Sequence, residues 1–122
     1  MKLLSVTLGI ILCLFTISIA SAECAWVLWT KTEKTISVKD KTGVDYSVRW
    51  ELLHAVPTYE QCLQMLNDAV ARNGRIYTEG KSEGGFQGIN ITVSPGYILL
   101  TGEELTHSIE YKCFPDTIDP RK

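Results

Sequence analysis

The chain has 122 residues, 45% hydrophobic and 21% charged, and its 12 Lys+Arg against 14 Asp+Glu give a formal charge of −2. That length suits a single domain with a small core. With no basic block or stripe in the sequence, the composition speaks against nucleic acid and anionic membrane surfaces as partners.

Met1 to Ala22 read MKLLSVTLGIILCLFTISIASA. Lys2 supplies a short positive region, Leu3 to Ile19 an apolar stretch, and Ala20-Ser21-Ala22 an A-x-A cleavage site. This is the pattern of a secretory signal peptide over residues 1–22. The competing reading is an uncleaved membrane anchor, but Ser5, Thr7, Gly9, Thr16 and Ser18 dilute the run and no basic stop-transfer cluster follows. Removing these 22 residues from 122 leaves 100, Glu23 to Lys122, as one domain. Only Lys2 among the basic residues is lost, so 11 cations face 14 anions and the net charge becomes −3. The expected location is periplasmic or extracellular, with no stable membrane insertion after cleavage. Cys13 goes with the leader, so three cysteines remain: Cys24, Cys62 and Cys113.

Ala25 to Thr30 is rich in aromatic and β-branched residues and reads as a strand. Cys24, Trp26 and Leu28 share one of its faces, and Ala25, Val27 and Trp29 the other. Both faces are apolar, as in a strand covered on both sides or an edge with a hydrophobic outer patch. Lys31 to Asp45 is polar, with a short alternation around Ile36 and Val38 and a turn signal at Asp40-Lys41-Thr42-Gly43. It reads either as a hairpin extension or as a long loop. Tyr46, Val48, Trp50 and Leu52 then alternate with Ser47, Arg49 and Glu51, the pattern of a half-buried strand.

The strongest local signal is PTYEQCLQMLNDAVARNG, from Pro57 to Gly74. Thr58 and Gln61 form a capping box, and Leu63, Leu66 and Val70 recur at helical spacing, flanked by Cys62 and Ala69. Asn73-Gly74 supplies a stop, so the spacing predicts a helix over about 59–73. Arg75 to Gly88 is glycine-rich and reads mostly as loop. Three strands follow: Ile89, Ile91 and Val93 alternating with Asn90 and Thr92; Tyr97 to Thr101 after the Ser94-Pro95-Gly96 turn; and Leu105, His107, Ile109, Tyr111 and Cys113 on one face of the last. Short turns make these strands antiparallel. The fold class is α+β: one small domain, an antiparallel sheet of about five strands with one helix packed on it, stapled by a disulfide.

Cys62 lies on the inward stripe of the helix and Cys113 on the inward face of the last strand, so Cys62–Cys113 is the favoured disulfide. Cys24–Cys113 is the alternative, and buried free thiols at both positions the third. Cys24 is then the leftover. A lipoprotein signal wants a small residue before its cysteine, and here that residue is Glu23. A catalytic or redox-active thiol needs an activating base, and His54 and His107, the only histidines, are both distant in sequence. An intermolecular disulfide, giving a homodimer through Cys24, is the remaining role beyond packing. Gly80-Lys81-Ser82 fails as a phosphate loop because its first glycine would be Arg75, and no Cys/His spacing fits zinc. Asn90-Ile91-Thr92 fits a glycosylation sequon but sits on a strand. No catalytic, cofactor-binding or metal site is assigned, and no cofactor is expected.

CAWVLW at Cys24–Trp29, PTYEQC at Pro57–Cys62 and YKCFPDTIDPRK at Tyr111–Lys122 resemble an uncharacterised group of small exported bacterial proteins. The resemblance covers the two ends and the helix start, about a quarter of the mature chain. It implies a bacterial, exported protein and carries no activity or catalytic residue with it. The tail from about residue 115 to 122, with Pro115, Asp116, Asp119 and Pro120, reads as an extended terminus pinned beside Cys113. The functional alternative makes Asp116 and Asp119, with an exposed face of Trp26 or Trp29, an interaction surface. The expected function is a non-enzymatic exported module that binds a protein or envelope component. The alternatives are a small enzyme or redox-active protein using Cys24, or a structural protein dimerised through it.

Overall fold

The computed structural model describes residues 25–37 and 43–122. Residues 1–22, expected as a signal peptide, Cys24 and the turn residues Asp40-Lys41-Thr42 lie outside the described residues. Two long strands open the fold, β1 (Trp26–Ser37) and β2 (Val44–Val56), paired antiparallel along their whole length. The polar stretch after Thr30 is therefore a hairpin extension. Helix α1 (Tyr59–Ser82) follows, then β3 (Asn90–Ser94), β4 (Tyr97–Thr101) and β5 (Leu105–Pro115). The sheet order is β2-β1-β5-β4-β3, all antiparallel, so the last strand closes onto the first and β2 and β3 form the edges.

One face of the sheet carries the helix. Leu28, Ile98, Leu100, Ile109 and Tyr111 meet Cys62, Leu66, Ala69 and Val70 of α1 in a single core. Burying a side chain such as Leu66 is worth about 1.5–3 kcal/mol, so this small stripe supplies much of what orders the domain. Leu63 lies off it and is 36% exposed. Thr58 starts α1, its hydroxyl accepting the Gln61 N–H at 3.2 Å. A disulfide joins Cys62 to Cys113 beside Leu28, with the Cα atoms 6.1 Å apart and an S–S distance of 2.08 Å. Trp26 and Tyr59 are in contact, ring centroids 4.5 Å apart and planes tilted by 47°.

The helix does not stop at Gly74 but runs on to Ser82. Gly74 is buried mid-helix, and a Cβ built there would lie 3.0 Å from Val93 Cγ2. Its hydrogen atom lets α1 approach β3 closely, which outweighs the loss of helix propensity. The true stop is at Glu83, whose N–H bonds the Glu79 carbonyl at 3.0 Å, while the N–H of Gly84 bonds the Lys81 carbonyl at 3.1 Å. Residues 75–82, expected as loop, are helix for that reason, and only the turn through 83–88 matches the expectation. Gly96 (φ 72°) makes the β3–β4 turn, its carbonyl accepting the Tyr111 N–H at 2.8 Å.

Candidate interaction surface

The second face of the sheet carries no helix. Antiparallel sheets tolerate that arrangement when the open face is polar, and here it is polar only in the middle. Lys31 pairs with Glu33 along β1, and Lys112 with Glu110 along β5. Lys31 and Glu110 stand opposite in the ladder, so two cations and two anions form one patch. The Lys31 ammonium is held above the usual lysine range, chiefly by its hydrogen bond to Glu33, while desolvation opposes the shift. Lys31 Nζ also lies 5.8 Å from the centre of the Trp50 ring.

At one end of this patch the C-terminal residues fold back over the sheet. The Asp116 N–H bonds the Ala25 carbonyl, and tight turns follow, closed by Ile118 N–H to Pro115 O and Lys122 N–H to Asp119 O. Asp119 accepts from the Arg121 backbone N–H at 3.0 Å and from its guanidinium at 2.9 and 2.8 Å. Those bonds hold the Asp119 carboxyl well below the usual carboxylate range. The guanidinium so fixed lies 5.0 Å from the centre of the Trp29 ring. The tail is thus turned and docked, not extended.

The four residues of the alternative reading, Trp26, Trp29, Asp116 and Asp119, do not form one surface. Trp29 is 3% exposed, capped by Arg121. Trp26 points to the opposite face, against α1. Asp116 is exposed at the turn, and Asp119 serves as the anchor for Arg121. The strand Ala25–Thr30 is covered on both faces, by α1 over Trp26 and Leu28 and by Arg121 of the tail over Trp29, and β1 is paired on both edges.

A row of exposed apolar residues lies on β2 instead. Val44, Tyr46, Val48 and Leu52 are 64%, 60%, 44% and 53% exposed, and half-buried Trp50 joins their row, 6.2 Å from Phe114. The alternation in this strand is as the sequence indicates, but its apolar side faces away from the helix. A one-residue bulge causes the reversal. Leu28 pairs with His54 and Trp29 with Leu52, so Leu53 is the extra residue. Val56 lies beyond the bulge and packs on the core. Without Leu53, every even-numbered residue back to Val44 would share the helix-side face with Val56. With it, they stand on the open face, while Asp45, Ser47, Arg49 and Glu51 take the other. Two adjacent apolar residues, Leu52-Leu53, breaking the alternation are the only trace of this in the sequence.

A cleft of about 360 Å³ lies beside the bulge, between α1 and the end of β2. Leu53 and Met65 give it apolar walls, and His54, Asp68, Arg72 and Asn73 its polar ones. The Asn73 amide is engaged with the Tyr111 hydroxyl. His54, Asp68 and Arg72 are exposed, and the residues described as lining the cleft include no serine, threonine or cysteine for a base to activate. Among the described residues no group of three His, Cys, Asp or Glu is placed to hold a metal ion, and no helix is long and apolar enough to cross a membrane. Gly80-Lys81-Ser82 closes the C-terminal end of α1, the end whose dipole repels phosphate.

Compared with known protein families, curated proteins and solved structures, the chain matches none.

Proposed function

We propose that the chain is an exported, non-catalytic binding module of the bacterial envelope, which meets a protein partner through the open face of β2. The observation that carries this reading is the row Val44, Tyr46, Val48, Trp50 and Leu52, placed at the edge of the sheet and left outside the core. Scattered exposed apolar residues are ordinary, but a contiguous row rimmed by charges is the composition of an interface. Tyr46 and Trp50 are the residue types that anchor such contacts. The Lys31, Glu33, Glu110 and Lys112 patch beside them supplies a polar rim. The disulfide and the leader-like N-terminus support export, since cross-links of this kind persist in oxidising compartments.

The test is a comparison of wild-type protein with Tyr46→Lys/Val48→Lys as bait in detergent-solubilised envelope extract. Both side chains are exposed, so the variant folds with an unchanged far-ultraviolet spectrum. The reading predicts a stoichiometric partner retained by wild type and lost by the variant. Equal retention by both baits, or none by either, contradicts it.

A further inference from the structure

The partner of β2 is a second copy of this chain. We infer that two β2 strands join edge to edge, antiparallel, about a two-fold axis at Ser47, making one ten-stranded sheet. The inference rests on the reading of β2 as the interaction element and names what binds there. The free edge of β2 is 13 residues long, against five for β3 at the other edge, and carries no proline within it. A long edge with unpaired N–H and C=O groups is a template for another strand, and natural proteins shorten, bend or charge such edges where pairing is unwanted.

Charge selects the register. With Ser47 opposite Ser47, Asp45 of each copy faces Arg49 of the other, twice over, on the helix-side face. Across the open face, Val44 meets Trp50 and Tyr46 meets Val48, so the exposed row becomes a continuous apolar band across the seam. Moving the centre to Val48 sets Asp45 against Glu51, and moving it to Arg49 sets that cation against itself. A centre at Trp50 would pair Arg49 with Glu51 but would bring Ser47 against Leu53, where the bulge breaks the ladder. Only the Ser47 centre combines opposite charges with bulge-free strand. The Asp45 carboxylate has no ion pair or side-chain hydrogen bond within its own chain among the described residues, whereas Arg49 already holds Glu51 and, 76% exposed, remains open to a second carboxylate.

The helices do not obstruct this pairing. Core contacts between α1 and β2 lie at Val56, nine residues from Ser47, or about 30 Å along the strand. In an antiparallel pair the two helices therefore sit at opposite ends of the joined sheet.

The experiment is sedimentation equilibrium of the secreted chain carrying Cys24→Ser, which removes any covalent dimer. The expected result is a monomer–dimer equilibrium. Asp45→Arg opposes two pairs of arginines and Arg49→Asp two pairs of aspartates, and each weakens the dimer by about tenfold or more. Mixed in equal amounts, the two variants restore wild-type affinity as a heterodimer, since all four charges are again opposite. Monomeric wild-type protein up to about 1 mM, the weak end of the affinity scale, overturns the inference. So does an Asp45→Arg chain that dimerises like wild type, or a mixture no tighter than its components. A monomer that still captures a foreign partner through Tyr46 and Val48 overturns this inference alone. A dimer that captures nothing else keeps the inference and overturns the envelope-partner reading.

Discussion

Reducing the Cys62–Cys113 bond should cost this domain a large part of its stability. The bond closes a segment of 51 residues that contains α1 from Cys62 onward and the whole of β3 and β4. For a loop of that length the chain-entropy model gives about 4 kcal/mol at 25 °C, gained by restricting the unfolded chain. Typical domains have about 5–15 kcal/mol in total. Cys62 is fully buried, so replacing it with alanine would add a cavity term and confuse the result. The cleaner comparison is oxidised against reduced protein, both with Cys24→Ser, because the two reduced thiols keep their volume in the core. Urea unfolding followed by fluorescence should show ΔG falling by about 4 kcal/mol. The m-value should rise as the unfolded chain expands. At about 4–8 °C per kcal/mol for a domain of this size, the midpoint temperature should fall by about 15–30 °C. A reduced protein within about 1 kcal/mol of the oxidised one would refute the argument that the cross-link compensates for a small core.

Three other outcomes follow from the geometry. Deleting residues 116–122 should expose Trp29, so a Trp26→Phe/Trp50→Phe chain should show red-shifted emission and faster acrylamide quenching; unchanged emission would mean that the tail does not cover the ring. Gly74→Ala sets a gain of about 1 kcal/mol in helix propensity against contact with Val93, so it should stabilise by at least about 0.5 kcal/mol more in a Val93→Ala background than in wild type. Equal effects in the two backgrounds would remove the close-approach explanation for that glycine. His107 has Nε2 buried without a hydrogen-bond partner among the described residues, and burial, with Lys34 opposite it, holds its pKa below 6.5. A depressed histidine pKa means that the unfolded chain takes up the proton first. The neutral ring's contribution is therefore complete above the unfolded value and is lost as pH falls from about 6.5 through the folded one. Stability should decline over that window in wild type and less in His107→Gln; parallel pH profiles would contradict it.

Much of the fold can be read from local chemistry. Thr58 and Gln61 mark the start of α1, the stripe at Cys62, Leu66, Ala69 and Val70 marks its inner side, and the alternation from Leu105 to Cys113 marks the inner face of β5. These signals also place Cys62 and Cys113 facing each other, as in the structure. Failures arise where a tertiary contact overrides a local preference. Gly74 looks like a helix end, yet its lack of a side chain serves packing against Val93, a residue 19 positions away. The exposed apolar row of β2 was hidden by the same kind of cause. Period-two alternation locates a buried face only while the register holds, and the single extra residue at Leu53 turns five apolar side chains outward. Trp29 carries the opposite lesson, since an aromatic near a terminus resembles a contact residue until Arg121, eight residues beyond Cys113, is seen lying on it.

The most direct test of the proposed role is photocrosslinking in the cell that produces the protein, with benzoylphenylalanine at Tyr46 or, as a control on the outer side of α1, at Glu79. Both positions are exposed, so both proteins should fold and accumulate equally. The account predicts strong, discrete adducts from position 46 and little from position 79. Their masses would separate a second copy of the chain from an envelope protein. Equal yields from the two positions, or no adduct from position 46, would mean that the open face of β2 is not where this protein meets its partners.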